Sequence, residues 1–465
     1  MFAPSTYAQR RRTLCEALQE VSGVVLFLGN EPCAMNFAAN PYPFRQDSTF
    51  LYYFGLDVPG VDALLDLDEG RARLYGDDPT LDDIVWMGDR PSLQSRAEQV
   101  NVDRTAPRSA LPDDLAEIDE QGRRIHLLPP YRDQHYHRID TLLGLSRDEV
   151  ASQVSVPLLN AVTAQRAVKS DAEIEQIEAA LQTTARMHEA ALRMAAPGTT
   201  ERTIAGRFAG IADAKGRGLA FRPTCSVRGE VLHNHDYSNA LSANDLLLVD
   251  AGGTSPLHYA GDITRVLPVG GPFTPRQRRL YKAVLDAQTA ALDQIEPGVP
   301  FVDVHRHACR VLTEHLVDLG LMHGPPAAAV EAGAHALFFP HGLGHMLGLD
   351  VHDMENLGED RVGYADDQER SDQFGLHTLR LARPLRSGFV LTVEPGFYVI
   401  PTLLDRWREE NRHADFINYE RAADFVEFGG IRIEDDVLVT EDGAEVLGPD
   451  IPKTVSAVER HAGSG

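Results

Sequence analysis

Three histidines follow one another within twelve residues in the stretch FFPHGLGHMLGLDVHD, which runs from residue 338 to residue 353. They are His341, His345 and His352, and the glycines between them let the backbone come close to a ligand. Imidazole is the side chain that most often binds metals in proteins. A lone histidine is more often a buried structural residue, so the interpretation depends on the residues that accompany it.

Four carboxylates accompany these histidines, each inside or directly at the end of an apolar or β-branched run. Asp250 and Asp262 lie upstream in LLLVDAGGTSPLHYAGDITR, and Glu394 and Glu434 lie downstream in LTVEPG and GGIRIEDD. Burying a carboxylate is costly unless it is paired or binds a metal. Four such carboxylates and at least one histidine therefore predict a shared cation.

This ligand set is typical of a dinuclear metal centre. Five ligands are too few to give two ions separate shells, so two of the carboxylates must bridge. Two metals about 3.5–4 Å apart can hold a hydroxide between them and polarise a carbonyl. Carboxylates with imidazole suit manganese, and also cobalt, iron or zinc. We therefore expect two divalent ions per chain, with Mn²⁺ as the first choice.

The segments before residue 160 predict an α/β unit. A short helix at about 5–20 precedes a buried strand, VVLFLG at 24–29, and ALLDLDEGRARLYG predicts a β-hairpin that turns at residues 68–70. Helical and strand-like segments then alternate to about residue 145. We assign residues 1–160 to this first domain.

The segments after residue 160 predict an α+β unit that carries the candidate ligands. Ser170 and Thr274 each begin a capping box, and further helices are predicted at 201–215 and 302–320. Strands are predicted at about 225–228 and 246–250, and further strands carry Glu394 and Glu434, which favours helices outside a mainly antiparallel sheet. We assign residues 161–465 to this second domain and interpret the polar segments 355–380 and 401–427 as insertions.

Composition and charge narrow the classes of partner. The formal net charge of −25 argues against nucleic acid and anionic membranes, which are bound by clustered lysine and arginine. The four cysteines are widely spaced, without a zinc-knuckle or disulfide pattern. Neither a signal peptide nor an apolar run of membrane-spanning length is present. We expect a cytoplasmic protein.

The ordered motifs DAGG, YAGDITR, HGLGHMLGLDVHD, LTVEPG and GGIRIEDD resemble the pita-bread metallopeptidase family, which includes methionine aminopeptidase, aminopeptidase P, prolidase and creatinase. The resemblance covers about residues 165–450. The stretch FRQDSTFLYYFG at 44–55 resembles the N-terminal domain shared by aminopeptidase P and prolidase, which methionine aminopeptidase lacks. The resemblance implies a creatinase-type N-terminal domain followed by a pita-bread catalytic domain.

The resemblance also implies roles for the five metal ligands. Asp250 would chelate one ion, and Asp262 and Glu434 would bridge both ions. His345 and Glu394 would complete the other shell. Glu394 would in addition carry a proton from the attacking water to the leaving nitrogen.

Four further residues are implied to act at the site or on the substrate. His233 of VLHNHD would hold the scissile carbonyl or stabilise the tetrahedral intermediate, and His352 would contact the substrate from the other side. His341 would line the substrate pocket. Arg432, two residues before Glu434 on the same predicted strand, would fix the metal ligands or bind a substrate carboxylate.

Neighbouring polar residues have more ordinary interpretations. We expect His235 to lie at the surface, although a role in the site stays open, and we expect Asp435 and Asp436 to lie in a solvated turn. Thr49 stands where some aminopeptidases P carry an aspartate that reaches a neighbouring subunit's substrate, although Asp47 is close by. This departure leaves the N-terminal domain's role in the site open.

Two proline-directed activities compete. An Xaa-Pro aminopeptidase cleaves the first bond of longer peptides and is slightly favoured, whereas an Xaa-Pro dipeptidase needs a cation for the free proline carboxylate. Arg380 in LHTLRLARPL, fourteen residues before Glu394, resembles the arginine-bearing segment of prolidases. Metal-free creatinase and a non-catalytic binding protein are disfavoured by the complete ligand set. Relatives with this layout imply a homodimer or homotetramer.

Overall fold

The computed structural model describes residues 1–462 and divides into two compact units. The first unit comprises residues 1–166 and the short segment 356–358, and the second comprises 167–355 and the chain from 359 onward. The helix Val156–Ala167 runs through the predicted boundary at residue 160, so the division falls at the end of that helix.

A mixed five-stranded sheet forms the centre of the first unit. Its strands are β1 (Val24–Phe27), β2 (Asp62–Asp66), β3 (Arg71–Tyr75), β4 (Arg104–Ala106) and β5 (Ile125–His126). The strand order is β4-β3-β2-β1-β5, in which β3/β4 and β1/β5 are parallel and the other pairs antiparallel. The predicted hairpin is confirmed as β2 and β3, and the Asp66 carboxylate closes its turn by accepting from the backbone N–H groups of Asp68 and Glu69.

Helices precede, separate and follow these strands along the chain, which confirms the predicted α/β class. They are α1 (Pro4–Ala17), α2 (Ser48–Phe54), α3 (Leu81–Met87), α4 (Leu93–Gln99), α5 (Leu111–Glu120), α6 (Asp133–Leu143), α7 (Arg147–Gln153) and α8 (Val156–Ala167). Helix α1 begins within one residue of the predicted position and ends three residues earlier than predicted.

The second unit contains short antiparallel sheets. Its strands are β6 (Thr224–Ser226), β7 (Leu246–Ala251), β8 (Ile263–Pro268), β9 (Val390–Val393), β10 (Gly396–Tyr398), β11 (Gly430–Arg432), β12 (Asp435–Val439) and β13 (Ala444–Val446). They pair in the orders β6-β7-β8, β13-β12-β9 and β10-β11. A single bridge between Thr264 and Glu434 links the first of these sheets to the segment between β11 and β12.

The second unit also contains helices, and two long ones begin where the capping residues predict. The helices are α9 (Asp171–Met194), α10 (Glu201–Lys215), α11 (Pro275–Leu292), α12 (Phe301–Asp318), α13 (Pro326–Glu331), α14 (Glu359–Gly363), α15 (Pro401–Glu409), α16 (Tyr419–Ala423) and α17 (Val455–Ala462). Ser170 and Thr274 form the expected capping boxes of α9 and α11. The two polar insertions contain α14, α15 and α16. Over residues 1–462, the helices lack the combination of length and apolar character that a membrane span requires.

Candidate metal centre

The four candidate carboxylates lie at or beside strand ends. Asp250 is the penultimate residue of β7, Asp262 directly precedes β8, Glu394 directly follows β9 and Glu434 directly precedes β12. Strand register brings them together, because Asp250 pairs with Thr264 across the sheet and the Glu434 N–H donates to the Thr264 carbonyl at 3.1 Å. Backbone hydrogen bonds therefore set the positions of these side chains.

His345 is held against the same cluster by Thr392. The His345 N–H donates to Thr392 Oγ1 at 3.1 Å, and the Thr392 N–H donates back to the His345 carbonyl at 2.9 Å. The ring Nδ1 lies 3.1 Å from the Met346 carbonyl, so the tautomer protonated at Nδ1 donates there. That tautomer leaves Nε2 as a lone-pair donor, the arrangement found in metal-bound histidines.

The ligand atoms converge on one point. His345 Nε2 lies 3.5 Å from Asp262 Oδ2 and 3.7 Å from Glu394 Oε1. Asp262, His345 and Glu434 each offer an atom within 4.8 Å of the other two, and all three residues are buried. Asp250 Oδ1 and Asp262 Oδ1 are buried without a hydrogen-bond partner. Buried carboxylate oxygens without a hydrogen-bond donor, beside an imidazole nitrogen, fit divalent cations.

The pKa values of the carboxylates also indicate that the cluster lacks positive charge. Burial raises the pKa of Glu434 and of Asp262 well above the ordinary carboxyl values, and repulsion among the carboxylates raises both further. Burial also raises the pKa of Glu394, against the opposing effects of His345 and Arg432. Without added cations, these groups are therefore driven to hold protons at pH values where carboxylates normally ionise.

Arg432 is the cation that the chain itself supplies to this cluster. Its Nη2 donates to Asp250 Oδ2 at 2.5 Å, its Nη1 to the Tyr398 hydroxyl at 2.9 Å and its Nε to Thr264 Oγ1 at 3.1 Å. Thr264 Oγ1 in turn donates to Glu434 Oε2 at 2.6 Å. The prediction that Arg432 and Glu434 share one strand is wrong, because β11 ends at Arg432 and β12 begins after Glu434. Both side chains nevertheless reach the same cavity.

His341 is packed beside this centre as a neutral ring. Its Nδ1 lies 2.8 Å from the Gly342 carbonyl, and its Nε2 lies 3.0 Å from the Tyr398 hydroxyl. With Nδ1 protonated, the tyrosine hydroxyl donates to Nε2 while it accepts from Arg432. Burial lowers the pKa of His341 to about 3.

A cavity of about 440 Å³ opens onto these groups. It is lined by every residue that the sequence marks as a site candidate, namely Asp250, Asp262, His345, Glu394, Glu434, His233, His341, His352, Arg380 and Arg432. His235 also lines the cavity, and its ring stacks on that of His233 at a centroid distance of 6.4 Å. The site positions predicted from sequence thus lie together, while their individual roles stay predictions.

The profile of metallopeptidase family M24 matches residues 175–441, more than half of the chain. The chain belongs to metallopeptidase family M24. The profile of the aminopeptidase P N-terminal domain matches residues 7–126. The predicted fold class, an α/β N-terminal domain followed by a pita-bread catalytic domain, is therefore confirmed, and so is the prediction of a metallopeptidase.

Relatives of this M24 metallopeptidase fall into two groups. A human Xaa-Pro dipeptidase is 32% identical over an alignment that covers 97% of this chain and 92% of that protein. A probable Xaa-Pro aminopeptidase pepP of Aspergillus fumigatus is also 32% identical, with 97% and 96% covered. The structure of the aminopeptidase PepP of Pseudomonas aeruginosa matches with a TM-score of 0.81 at 27% identity, covering 99% of this chain and 98% of that one.

In this M24 metallopeptidase, His352 and Arg380 line the cavity beside the candidate metal centre, and both pair with Glu355. The His352 ring lies 4.1 Å from the His345 ring, and its Nδ1 lies 3.1 Å from Glu355 Oε2. Arg380 Nη1 donates to Glu355 Oε2 at 2.5 Å and to Glu359 Oε2 at 2.9 Å. Although burial opposes it, the pairing with His352 and Arg380 lowers the pKa of Glu355 to about 2.

Sequence reasoning missed Tyr398, Thr264, Glu355 and Glu359. Tyr398 had a usable signal, because it follows Glu394 by four residues in an apolar run, where a buried hydroxyl requires a partner. The two glutamates had none, because they lie in a polar insertion where acidic residues are usually solvated.

The prediction of a solvated turn at Asp435 and Asp436 is wrong. Both are buried on β12, where Asp435 accepts from Arg265 Nη2 at 2.6 Å and from Lys453 Nζ at 2.5 Å. Asp436 accepts from the backbone N–H of Asp262 at 2.9 Å. Asp436 therefore helps to position a candidate ligand through that ligand's backbone.

Thr49 and Asp47 have structural partners within the first unit. Thr49 is buried and accepts a hydrogen bond from Arg166 Nη1 at 2.9 Å. Asp47 caps α2 by accepting from the backbone N–H of Phe50 at 2.8 Å.

Proposed function

We propose that Asp250, Asp262, His345, Glu394 and Glu434 hold two divalent metal ions, with Mn²⁺ as the first choice. The buried, unpartnered oxygens of Asp250 and Asp262 and the raised carboxyl pKa values support this assignment. When bound, such a pair of ions activates a water molecule and polarises a carbonyl. The carboxylate-rich donor set with one imidazole suits manganese, and also cobalt, iron or zinc.

Other steps of the reaction are assigned to individual residues of the chain. Glu394, a carboxylate that lines the cavity beside the other proposed ligands, is suited to take a proton from water and pass it to the leaving nitrogen. His233 and His352 line the cavity. We assign His233 to hold the scissile carbonyl or stabilise the tetrahedral intermediate, and His352 to contact the substrate from the other side. His341 and Tyr398 form a hydrogen-bonded pair that shapes the substrate pocket. Arg432 orients Asp250 as a ligand.

We propose that the bond cleaved joins any first residue to proline. The relatives that align over nearly the whole chain are named as Xaa-Pro dipeptidases and Xaa-Pro aminopeptidases, which supports this substrate class. Proline lacks an N–H group, so a site for this bond must accept a tertiary amide and protonate its nitrogen. A positioned carboxyl group such as that of Glu394 meets that requirement.

Within this class, an Xaa-Pro aminopeptidase is our first proposal, and the environment of Arg380 is the observation that carries it. Two carboxylates, Glu355 and Glu359, already neutralise its guanidinium group. A peptide whose chain continues beyond proline needs no further cation at that point. An Xaa-Pro dipeptidase is the second candidate, because Arg380 lines the cavity and both contacts use Nη1, while arginine has further donors for a substrate carboxylate.

The direct test is hydrolysis of Ala-Pro-Ala and Ala-Pro by the purified protein with Mn²⁺. We expect a higher kcat/KM for Ala-Pro-Ala, whereas cleavage restricted to Ala-Pro would establish the dipeptidase. Ala-Ala-Ala serves as the control for proline specificity. Cleavage of neither proline peptide under any of the four candidate metals would reject the proline-directed function.

We also propose that the protein forms a homodimer or homotetramer. Helix α3 supports this, because its Leu81, Val85, Trp86 and Met87 side chains are each more than 60% exposed. Apolar clusters exposed in this way mark interaction surfaces more often than free surface. Light scattering at micromolar concentration tests the proposal, and a monomer would contradict it.

A further inference from the structure

A second group of metal-ligating side chains lies in the catalytic unit, apart from the five carboxylate and imidazole ligands. His305 and Cys309 are separated by one turn on α12, so their side chains share one helix face. His335 approaches them from the short 3₁₀ helix Ala334–Leu337. Each of the three residues offers a ligand atom within 4.8 Å of the other two.

The cluster is buried and incompletely satisfied. His305, Cys309 and His335 are 1%, 0% and 4% exposed. Both ring nitrogens of His335 are buried without a hydrogen-bond partner of normal geometry, although the Ala329 backbone lies near the ring. A buried imidazole normally finds a partner, because leaving a buried polar group unpaired costs about 1–3 kcal/mol. The unpaired imidazole therefore indicates a ligand that completes the cluster.

The spacing of the donor atoms suits a tetrahedral metal. Cys309 Sγ lies 3.5 Å from His305 Nε2. A tetrahedral zinc ion with bonds of about 2.3 Å to sulfur and about 2.0–2.1 Å to nitrogen places these two atoms about 3.5 Å apart. A weak thiol–imidazole hydrogen bond explains the same distance, but it leaves both ring nitrogens of His335 without a hydrogen-bond partner of normal geometry.

We propose that His305, Cys309 and His335 bind a third metal ion, of the zinc class. One thiolate and two imidazoles form a softer donor set than the carboxylate-rich centre, which favours zinc over manganese. The two sites of this chain therefore select different metals by their ligand chemistry.

The protonation states of the three ligands are compatible with this site. Burial lowers the pKa of His305 to about 3 and that of His335 to about 4, so both rings are neutral near pH 7. Burial raises the pKa of the Cys309 thiol, so the ion must displace the thiol proton when it binds. Binding therefore releases one proton and tightens as the pH rises.

A fourth coordination position is available on the side of an adjoining cavity. This cavity has a volume of about 380 Å³ and is lined by His305 and His335 together with Arg306, Arg310 and Glu331. Three protein ligands and one open position are typical of zinc sites that keep a water molecule. The cavity also gives a metal ion or chelator a path to the cluster.

The ion would join two segments that are distant in sequence. Helix α12 would be linked to the residues that lead directly into His341 of the proposed substrate pocket. The Phe339 ring lies between the two sites, 5.7 Å from the His305 ring and 4.8 Å from the His341 ring. The third ion is therefore placed to stabilise one wall of that pocket.

Cobalt substitution tests the proposal without reliance on activity. The full-length protein is stripped with a chelator and reloaded with Co²⁺, and absorption in the near-ultraviolet reports a cobalt–thiolate bond. The carboxylate-rich centre has no sulfur donor, so any such band must come from a cysteine. Zinc X-ray absorption on the zinc-loaded protein should likewise show a sulfur ligand at about 2.3 Å.

Variants assign the band to the cluster. Cys309→Ala and His335→Phe should each lose the thiolate band and bind about one zinc ion fewer per chain, with the far-ultraviolet circular dichroism unchanged. Cys225→Ala is the matched control, because Cys225 is a buried cysteine outside the cluster, and it should keep the band. Absence of a sulfur ligand in the wild-type protein, or a band that survives in Cys309→Ala, would overturn the proposal.

Discussion

Glu434 and Asp435 are adjacent carboxylates, equally buried, with opposite properties. Glu434 faces the other candidate ligands, and its pKa is raised well above the ordinary value. Asp435 faces Arg265 and Lys453, which lower its pKa to about 2 although burial opposes the shift. Because Glu434 directly precedes Asp435, the first residue of β12, the two side chains project to opposite sides of the extended chain.

The difference between a structural carboxylate and a candidate ligand lies in where its counter-charge comes from. Asp435 receives its counter-charges from the protein, with Gln288 donating a further hydrogen bond at 3.0 Å. The cluster around Glu434 contains four carboxylates and a single close arginine, Arg432. Without added cations these carboxylates hold protons, and the two divalent ions that we propose would supply the missing positive charge instead.

Removal of the Glu434 charge should have the largest effect on function. Glu434→Gln loses a proposed bridging ligand, so we expect kcat/KM to fall by at least about 100-fold and the bound manganese per chain to decrease. Steady-state kinetics and metal analysis measure the two losses. Asp262→Asn should behave in the same way, and normal activity in either variant would remove the dinuclear assignment.

Removal of the Asp435 charge should instead damage stability. Asp435→Asn leaves Arg265 buried without its ionic partner, and we expect a loss of about 3–5 kcal/mol in the free energy of unfolding. Urea denaturation of metal-saturated protein measures it. Glu189→Gln is the control, because it breaks an exposed pair with Arg193 and should cost less than about 1 kcal/mol. Equal losses in Asp435→Asn and Glu189→Gln would contradict the interpretation of Asp435 as a structural carboxylate.

The sequence predicted the four carboxylates of the candidate centre but not the burial of Asp435, and the reason is physical. The spacing of acidic residues within apolar runs located all four carboxylates of the centre, because a buried charge in such a run requires a partner. The same rule applied to Asp435, but three consecutive acidic residues looked like a solvated turn. Its partners, Arg265 and Lys453, belong to β8 and to the loop after β13, and local sequence does not reveal such pairs.

The parts of the fold that were predicted correctly depend on neighbouring residues, and those that were missed depend on residues far apart in sequence. Caps and turns are local, so the starts of α9 and α11 and the β2–β3 hairpin were predicted correctly. The break between β11 and β12 depends on a bridge from Glu434 to Thr264, 170 residues away, and could not be predicted. The pairing of Arg380 with Glu355 and Glu359 likewise requires the folded insertion.

Arg380 combines the two kinds of environment, because it is ion-paired like Arg265 and lines the cavity like Glu434. If it binds a substrate carboxylate, Arg380→Ala should lower kcat/KM for Ala-Pro by a factor of about 30–150, which corresponds to a lost charge-assisted bond of about 2–3 kcal/mol. Ala-Pro-Ala carries an amide at that point and should lose much less.

The aminopeptidase proposal predicts similar, smaller changes for both peptides. Arg370→Ala is the matched control, because Arg370 also pairs with Glu359 but does not line the cavity. A selective loss for Ala-Pro in Arg380→Ala, absent from Arg370→Ala, would favour the dipeptidase.

The last effect expected is a pH dependence in metal-free protein, which is small over any one pH unit. Because the pKa of Glu434 is higher in the folded than in the unfolded chain, its stabilising contribution is complete below the unfolded value near 4 and is lost as the pH rises toward the folded value. Glu434→Gln removes this titration. Its stability relative to wild type should therefore increase as the pH rises above about 5, by at most about 1.4 kcal/mol per pH unit. The buried histidines are common to both proteins and cancel in the difference.

Asp435→Asn provides the contrasting measurement. With a folded pKa of about 2, Asp435 is ionised in both states throughout that range, so its stability difference from wild type should stay flat. It should shrink only below about pH 4, because a depressed pKa gives stability that is lost as the pH falls toward the folded value. Saturating Mn²⁺ should abolish the slope of the Glu434 comparison, since bound metal keeps the carboxylate ionised. A flat Glu434 difference in metal-free protein would show that the carboxylates of the centre are not short of positive charge.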